Sequence, residues 1–145
     1  MASLIQPNYF VKLAARYNVT VYEVPSTWMD NHEISYSAGA DTIWLGTYSD
    51  VELRLISFFH ELGHCLDVQR KTLPAYEDLP YYHFNEASAW KTGLALAEKE
   101  GVKFSKPAIR WAKKQLNTYF GDGSKELTPI KYLVKAKKYA FRANQ

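Results

Sequence analysis

The sequence predicts an α+β fold, mostly helical, with a small three-stranded sheet beside a long helix that carries His60-Glu61-Leu62-Gly63-His64. Three observations predict it. Apolar residues recur at helical spacing in stretches bounded by cap and stop signals. Between residues 19 and 45, short β-branched and aromatic runs are separated by Pro25 and by Gly39-Ala40-Asp41. With 145 residues, 47% of them hydrophobic, the chain can bury a core as a single domain spanning 1–145.

Each element has its own signal. Pro7 to Tyr17 reads as a first helix, with Phe10, Leu13 and Ala14 on one side. Val19 to Val24 reads as a strand stopped by Pro25. Ile34–Ala38 and Thr42–Leu45 read as a hairpin or two short strands, the second being the stronger. Ser49-Asp50-Val51-Glu52 reads as a capping box, in which serine and glutamate satisfy each other's free backbone donors. The helix it opens should run to about Gln69. Its core stripe is Leu55, Phe59, Leu62 and Leu66, and His60, His64 and Asp67 share a neighbouring stripe.

Residues 71–84, rich in Pro and Tyr, read as a loop. Asn85 is the expected cap of a helix from Glu86 to about Glu100, closed by Gly101 at C′. Pro107 to Phe120 reads as a further helix, closed by Gly121-Asp122-Gly123. Thr128-Pro129 opens a last helix to about Phe141.

Composition excludes several classes. No run approaches eighteen apolar residues, so no transmembrane helix and no membrane partner are expected. The start of the chain lacks the charged and apolar regions of a signal peptide. One cysteine excludes an internal disulfide and favours a reducing interior, a cytoplasmic location. The net charge of +3 is uneven: residues 1–102 hold 7 Lys/Arg against 13 Asp/Glu, and residues 103–145 hold 11 against 2. The last helix carries a basic stripe of Lys131, Lys135, Lys138 and Arg142, with Arg110, Lys113 and Lys114 on the helix before. Such a stripe suits an ordinary solvated face. It also suits an anionic partner, nucleic acid or an acidic protein.

His60-Glu61-Leu62-Gly63-His64 fits H-E-x-x-H. On a helix this spacing puts two imidazoles one turn apart on one face, able to reach a single zinc ion, with the glutamate free to act as base. Catalytic zinc takes three protein ligands and keeps one open position. The candidates for the third are His32, His83, Asp67, Glu77, Asp78 and Glu86. Glu86 is favoured, because a helix packed on the motif helix can aim a first-turn carboxylate at the metal. Gly93, on the same side, would let the two helices come close. Asp67 suits a brace for a histidine. Cys65 points off the metal side and suits a buried thiol. Together these residues predict peptide hydrolysis by a zinc-activated water, with Glu61 as general base. Tyr81, Tyr82 and His83, just before Glu86, are candidate donors to the oxyanion.

Residues 41–101 resemble the zincin metallopeptidases of the glutamate-ligand branch, the gluzincins. In these H-E-x-x-H is followed by a glutamate on the next helix, often within Asn-Glu, here Asn85-Glu86, with 21 residues between His64 and Glu86. The segment is also similar to compact metallopeptidase-like proteins of bacteria and phages, the ImmA/IrrE type among them. The resemblance implies a minimal zincin fold, one zinc ion and a peptide or protein substrate, in a host cytoplasm if the chain is phage-encoded. It also implies that Thr42, Ile43, Trp44 and Leu45 form the edge strand that holds an extended substrate. Two features depart from the family patterns. Ala89 and Trp90 stand where the gluzincin pattern has Ser-Asp, and no third histidine follows His64. The alternative is a binding protein on the same scaffold, engaging its partner through the basic C-terminal helices. An intact Glu61 speaks against it, because a structural metal site needs no base.

Overall fold

The computed structural model describes residues 9–24, 35–70 and 79–118, the side chains of 79–84 and 118 excepted. Its elements are α1 (Tyr9–Ala15), β1 (Thr20–Glu23), β2 (Tyr36–Ala38), β3 (Thr42–Leu45), α2 (Val51–Arg70), α3 (Leu79–Lys99) and α4 (Lys106–Thr118). The architecture is α+β, with helices packed on one small mixed sheet. None of the described helices is long and apolar enough to cross a membrane.

The sheet order is β1-β3-β2. β1 runs parallel to β3 and β2 antiparallel to it. β3 alternates: Ile43 and Leu45 are fully buried, while Thr42 and Trp44 are partly open. On the outer face Tyr22, Trp44 and Tyr36 stand in register across the three strands and stack, with centroid distances of 4.8 and 6.3 Å. On the inner face Ile43 and Leu45 join the core with Leu55, Phe58, Phe59, Leu62, Cys65 and Leu66 of α2. A second core joins α2, α3 and α4 through Ile56, Ala87, Trp90, Leu94, Ala108, Ala112 and Leu116.

Helix ends follow from local chemistry. α1 closes on Asn18, whose φ of 61° is tolerated by a short polar side chain. The Asn18 N–H bonds Ala15 O at 3.1 Å and the Val19 N–H bonds Ala14 O at 3.0 Å, the paired pattern of a Schellman stop. α3 ends the same way on Gly101 at φ 79°, with Gly101 N–H on Glu98 O and Val102 N–H on Ala97 O. The start of α2 differs from expectation in its detail. The Asp50 carboxylate accepts the Glu52 and Leu53 N–H groups at 2.9 and 3.1 Å, so Asp50 caps the helix. The Glu52 carboxylate reaches across to Ser105, accepting its N–H at 2.9 Å and its hydroxyl at 2.6 Å. The Ser105 hydroxyl in turn accepts the Ala108 N–H and caps α4.

The largest correction concerns α3. It begins at Leu79, not at Glu86, so residues 79–84 are helix and Asn85 is an interior residue rather than a cap. Pro80 lies in the first turn, where N–H groups have no intrahelical partner and a proline is accepted. Glu86 therefore sits in the third turn, backed by helix on both sides. The Gly121-Asp122-Gly123 stop and the last helix fall outside the described residues.

Candidate metal centre

The site is built where α2 and α3 touch backbone to backbone. Gly63, inside the histidine motif, and Gly93 of α3 face each other. A Cβ on Gly63 would overlap Ala89 O and lie 2.9 Å from Gly93 N. One on Gly93 would overlap Phe59 O and lie 3.2 Å from His60 N. Only two glycines allow this approach, as the sequence suggested for Gly93. The approach brings Glu86 over the histidine side of α2.

His60 and His64 lie one turn apart, with ring centroids 4.7 Å from each other. The Glu86 carboxylate meets both. Oε1 lies 3.3 Å from His60 Nε2 and Oε2 lies 2.9 Å from His64 Nε2. One ligand atom from each of the three residues falls within 4.8 Å of the others. Tetrahedral zinc with bonds near 2.0–2.1 Å needs ligand atoms about 3.3 Å apart, so the donors fit this ion in type and nearly in spacing. Glu86 Oε1 is buried and, among the described residues, has no hydrogen-bond partner by geometry, which leaves acceptor capacity for a cation.

Charge in this cluster is tightly coupled. Burial pushes Glu86 upward, but the two imidazoles outweigh it and hold the carboxyl well below its usual range. Burial lowers His64, yet Glu86, and after it Glu61 and Asp67, carry it up to about 9. His60 is pushed down by burial, against Glu86. Without a metal, a proton on His64 balances Glu86. A divalent cation on the same atoms would replace it.

Glu61 projects beside the ligands, its Oε2 4.0 Å from His60 Nε2. Burial pushes it up to about 8, opposed first by His64 and then by Ser37. The Ser37 hydroxyl and backbone N–H both donate to this carboxylate. Ser37 is opposite Ile43 on β2, so this N–H points out from the sheet edge rather than into β3.

Asp67 is buried and accepts the Thr92 hydroxyl at 2.7 Å, tying α2 to α3 one turn beyond His64. Its charge raises both imidazoles. Cys65 points away, toward Thr42 O at 3.7 Å, and burial pushes its thiol up to about 12. Trp90 stacks on His60, with centroids 4.1 Å apart and planes 24° apart.

His60, Glu61, His64 and Glu86 are thus brought together, with Asp67 at their border. Thr42–Leu45 does not take the edge position. β3 is the middle strand, its backbone groups are shared between β1 and β2, and it has no free side for a further strand. The edge strand in contact with Glu61 is β2 (Tyr36–Ala38). Tyr81, Tyr82 and His83 lie in the first turns of α3, and their side chains are outside the description. Lys131, Lys135, Lys138 and Arg142, with His32, Glu77 and Asp78, also fall outside the described residues. Sequence reasoning missed Ser37, Thr92 and Trp90 as parts of the site. Trp90 alone carried a usable signal, standing one helical turn after Glu86. Comparison with protein-family models, with curated proteins and with solved structures gives no match.

Proposed function

We propose that this protein is a zinc-dependent peptidase of minimal zincin type, in which His60, His64 and Glu86 hold one metal ion and Glu61 moves the proton. The observation that carries this reading is the convergence of two imidazole nitrogens and a carboxylate oxygen within 4.8 Å, with Glu61 alongside. Zinc held there supplies a Lewis acid that brings the acidity of water near neutral pH and polarises a carbonyl. Three protein ligands leave a position open, as catalytic sites require.

The chain's own residues divide the remaining work. Glu61, whose carboxyl burial raises and whose Oε2 lies 4.0 Å from His60 Nε2, is placed to take a proton from water and return it to a leaving amine. Ser37 aims that carboxylate with two donors from the sheet edge. A peptide extended along β2 would run past Glu61. Asp67, fixed by Thr92, adds negative charge behind the imidazoles and favours a bound cation.

The test is metal content followed by cleavage. Purified protein should hold one zinc per chain, lose it on His60→Ala, and cut a peptide library. Glu61→Gln should keep the zinc and abolish cutting. Cleavage that survives Glu61→Gln, or protein that takes up no zinc, would refute the proposal.

A further inference from the structure

We infer that Trp90 is the positioning residue for His60: its indole face, backed by the core against α4, fixes the plane in which the imidazole presents Nε2 to a metal. The inference rests on the metal reading above and adds a residue to it.

A metal-binding imidazole is usually oriented by a hydrogen bond from its other ring nitrogen to a carboxylate or carbonyl. His60 lacks this. Its Nδ1 is buried and has no hydrogen-bond partner among the described residues. In its place a large flat surface lies against the ring. The indole of Trp90 is 4.1 Å away and within 24° of parallel. Rotation of the imidazole about its bond to Cβ would swing the ring edge into that face. The contact therefore opposes the motion that would take Nε2 away from Glu86 Oε1, now 3.3 Å distant.

The indole itself cannot yield easily. Trp90 is only 2% exposed and belongs to the core of Ile56, Ala87, Leu94, Ala108, Ala112 and Leu116. Three of these, Ala108, Ala112 and Leu116, come from α4, so the docking of α4 is passed through one rigid ring to His60. His64 is held differently, by its 2.9 Å contact with Glu86. Both imidazoles meet Glu86, but among the described residues only His60 has an aromatic side chain stacked flat against its ring.

The experiment is zinc titration of the full chain against a chelating dye, for wild type, Trp90→Phe, Trp90→Leu and the control Trp111→Phe, on a half-buried α4 residue packed against the same core. Trp111→Phe should bind as wild type does. Trp90→Phe keeps a ring face and should stay within about threefold, whereas Trp90→Leu should weaken binding roughly 10- to 100-fold, the usual loss when an orienting partner is removed. The cobalt(II) absorption spectrum at saturating metal gives a readout that folding alone does not move, and it should change in Trp90→Leu but not in Trp90→Phe. Equal weakening by Phe and Leu with unchanged spectra would reduce Trp90 to core filling and overturn the inference. So would wild-type affinity in Trp90→Leu. Wild-type protein that takes up no zinc would overturn the metal reading itself, and this inference with it.

Discussion

Gly63→Ala sets two physical effects of opposite sign against each other. On helix propensity alone, alanine in the interior of α2 should stabilise by about 0.8–1 kcal/mol. The contact with α3 says the reverse. The new Cβ would overlap Ala89 O and lie 2.9 Å from Gly93 N, whereas ordinary contact begins near 3.4 Å. Neither neighbour is a side-chain tip that can swing aside; both are helix backbone. The helices must part by about 1 Å, and overpacking of this kind costs about 1–3 kcal/mol. After the propensity gain is subtracted the range is about 0–2 kcal/mol of destabilisation, and an overlap with rigid helix backbone places the expectation toward its upper end. Separation also draws Glu86 away from the imidazoles, so zinc affinity should fall together with stability. Urea unfolding of the metal-free protein and chelator competition for zinc measure the two losses. Gly93→Ala should repeat them, because its Cβ would strike Phe59 O. The double variant should cost less than the sum, since helices already apart have room for the second methyl. Gly101→Ala, strained at φ 79° but open to solvent around its Cβ, should lose stability without touching zinc. Metal-free Gly63→Ala as stable as wild type, with unaltered zinc affinity, would show that the helix contact is not what spaces the ligands.

Two further expectations concern protons. His64 is raised to about 9, so the metal-free fold gains stability from its proton below the ordinary value of 6.5 and loses it as pH climbs through 9. That proton must leave before the nitrogen can bind zinc. Zinc affinity should therefore drop about tenfold per pH unit below 9, as calorimetry at several pH values would show, and a flat profile would contradict it. Ser37→Ala removes a donor that holds Glu61 down, so its carboxyl should move further up. The acid limb of kcat/KM should shift to higher pH with zinc content unchanged, and an unmoved limb would deny Ser37 any hold on the base.

Much of the site was legible because helical spacing is rigid. The four-residue step from His60 to His64 leaves little freedom once α2 exists, and the stripe of Leu55, Phe59, Leu62 and Leu66 announced α2 clearly. β3 was legible for a similar reason: strand alternation separates Ile43 and Leu45 from Thr42 and Trp44. Alternation assigns faces, however, and does not name neighbours. That β1 pairs with β3 in parallel, and so puts β3 in the middle, depends on contacts distant along the chain. The start of α3 was hidden for a different reason. Leu79-Pro80-Tyr81-Tyr82 has the composition of a loop, yet the first turn of a helix is where proline does no harm. Glu86 was found from a partly wrong premise: it was expected in a first turn and lies in the third. Gly93, the other half of that argument, lets the two helices come close as expected, and the partner it meets there is Gly63. Trp90 and Thr92 matter only through the crossing of two helices, which local pattern does not encode.

The reach of Glu52 to Ser105 has a consequence for how the chain is assembled. One carboxylate at the start of the histidine helix saturates the first residue of the turn that launches α4. Residues 53 positions apart are thereby held in register at one corner of the molecule. Closing so large a loop is entropically unfavourable, and the loss is recovered only when both helices are in place. The corner therefore couples the placement of α4 to that of α2. The same α4 that is pinned here by Glu52 supplies Ala108, Ala112 and Leu116 to the core around Trp90, so the corner and the support behind His60 belong to one helix.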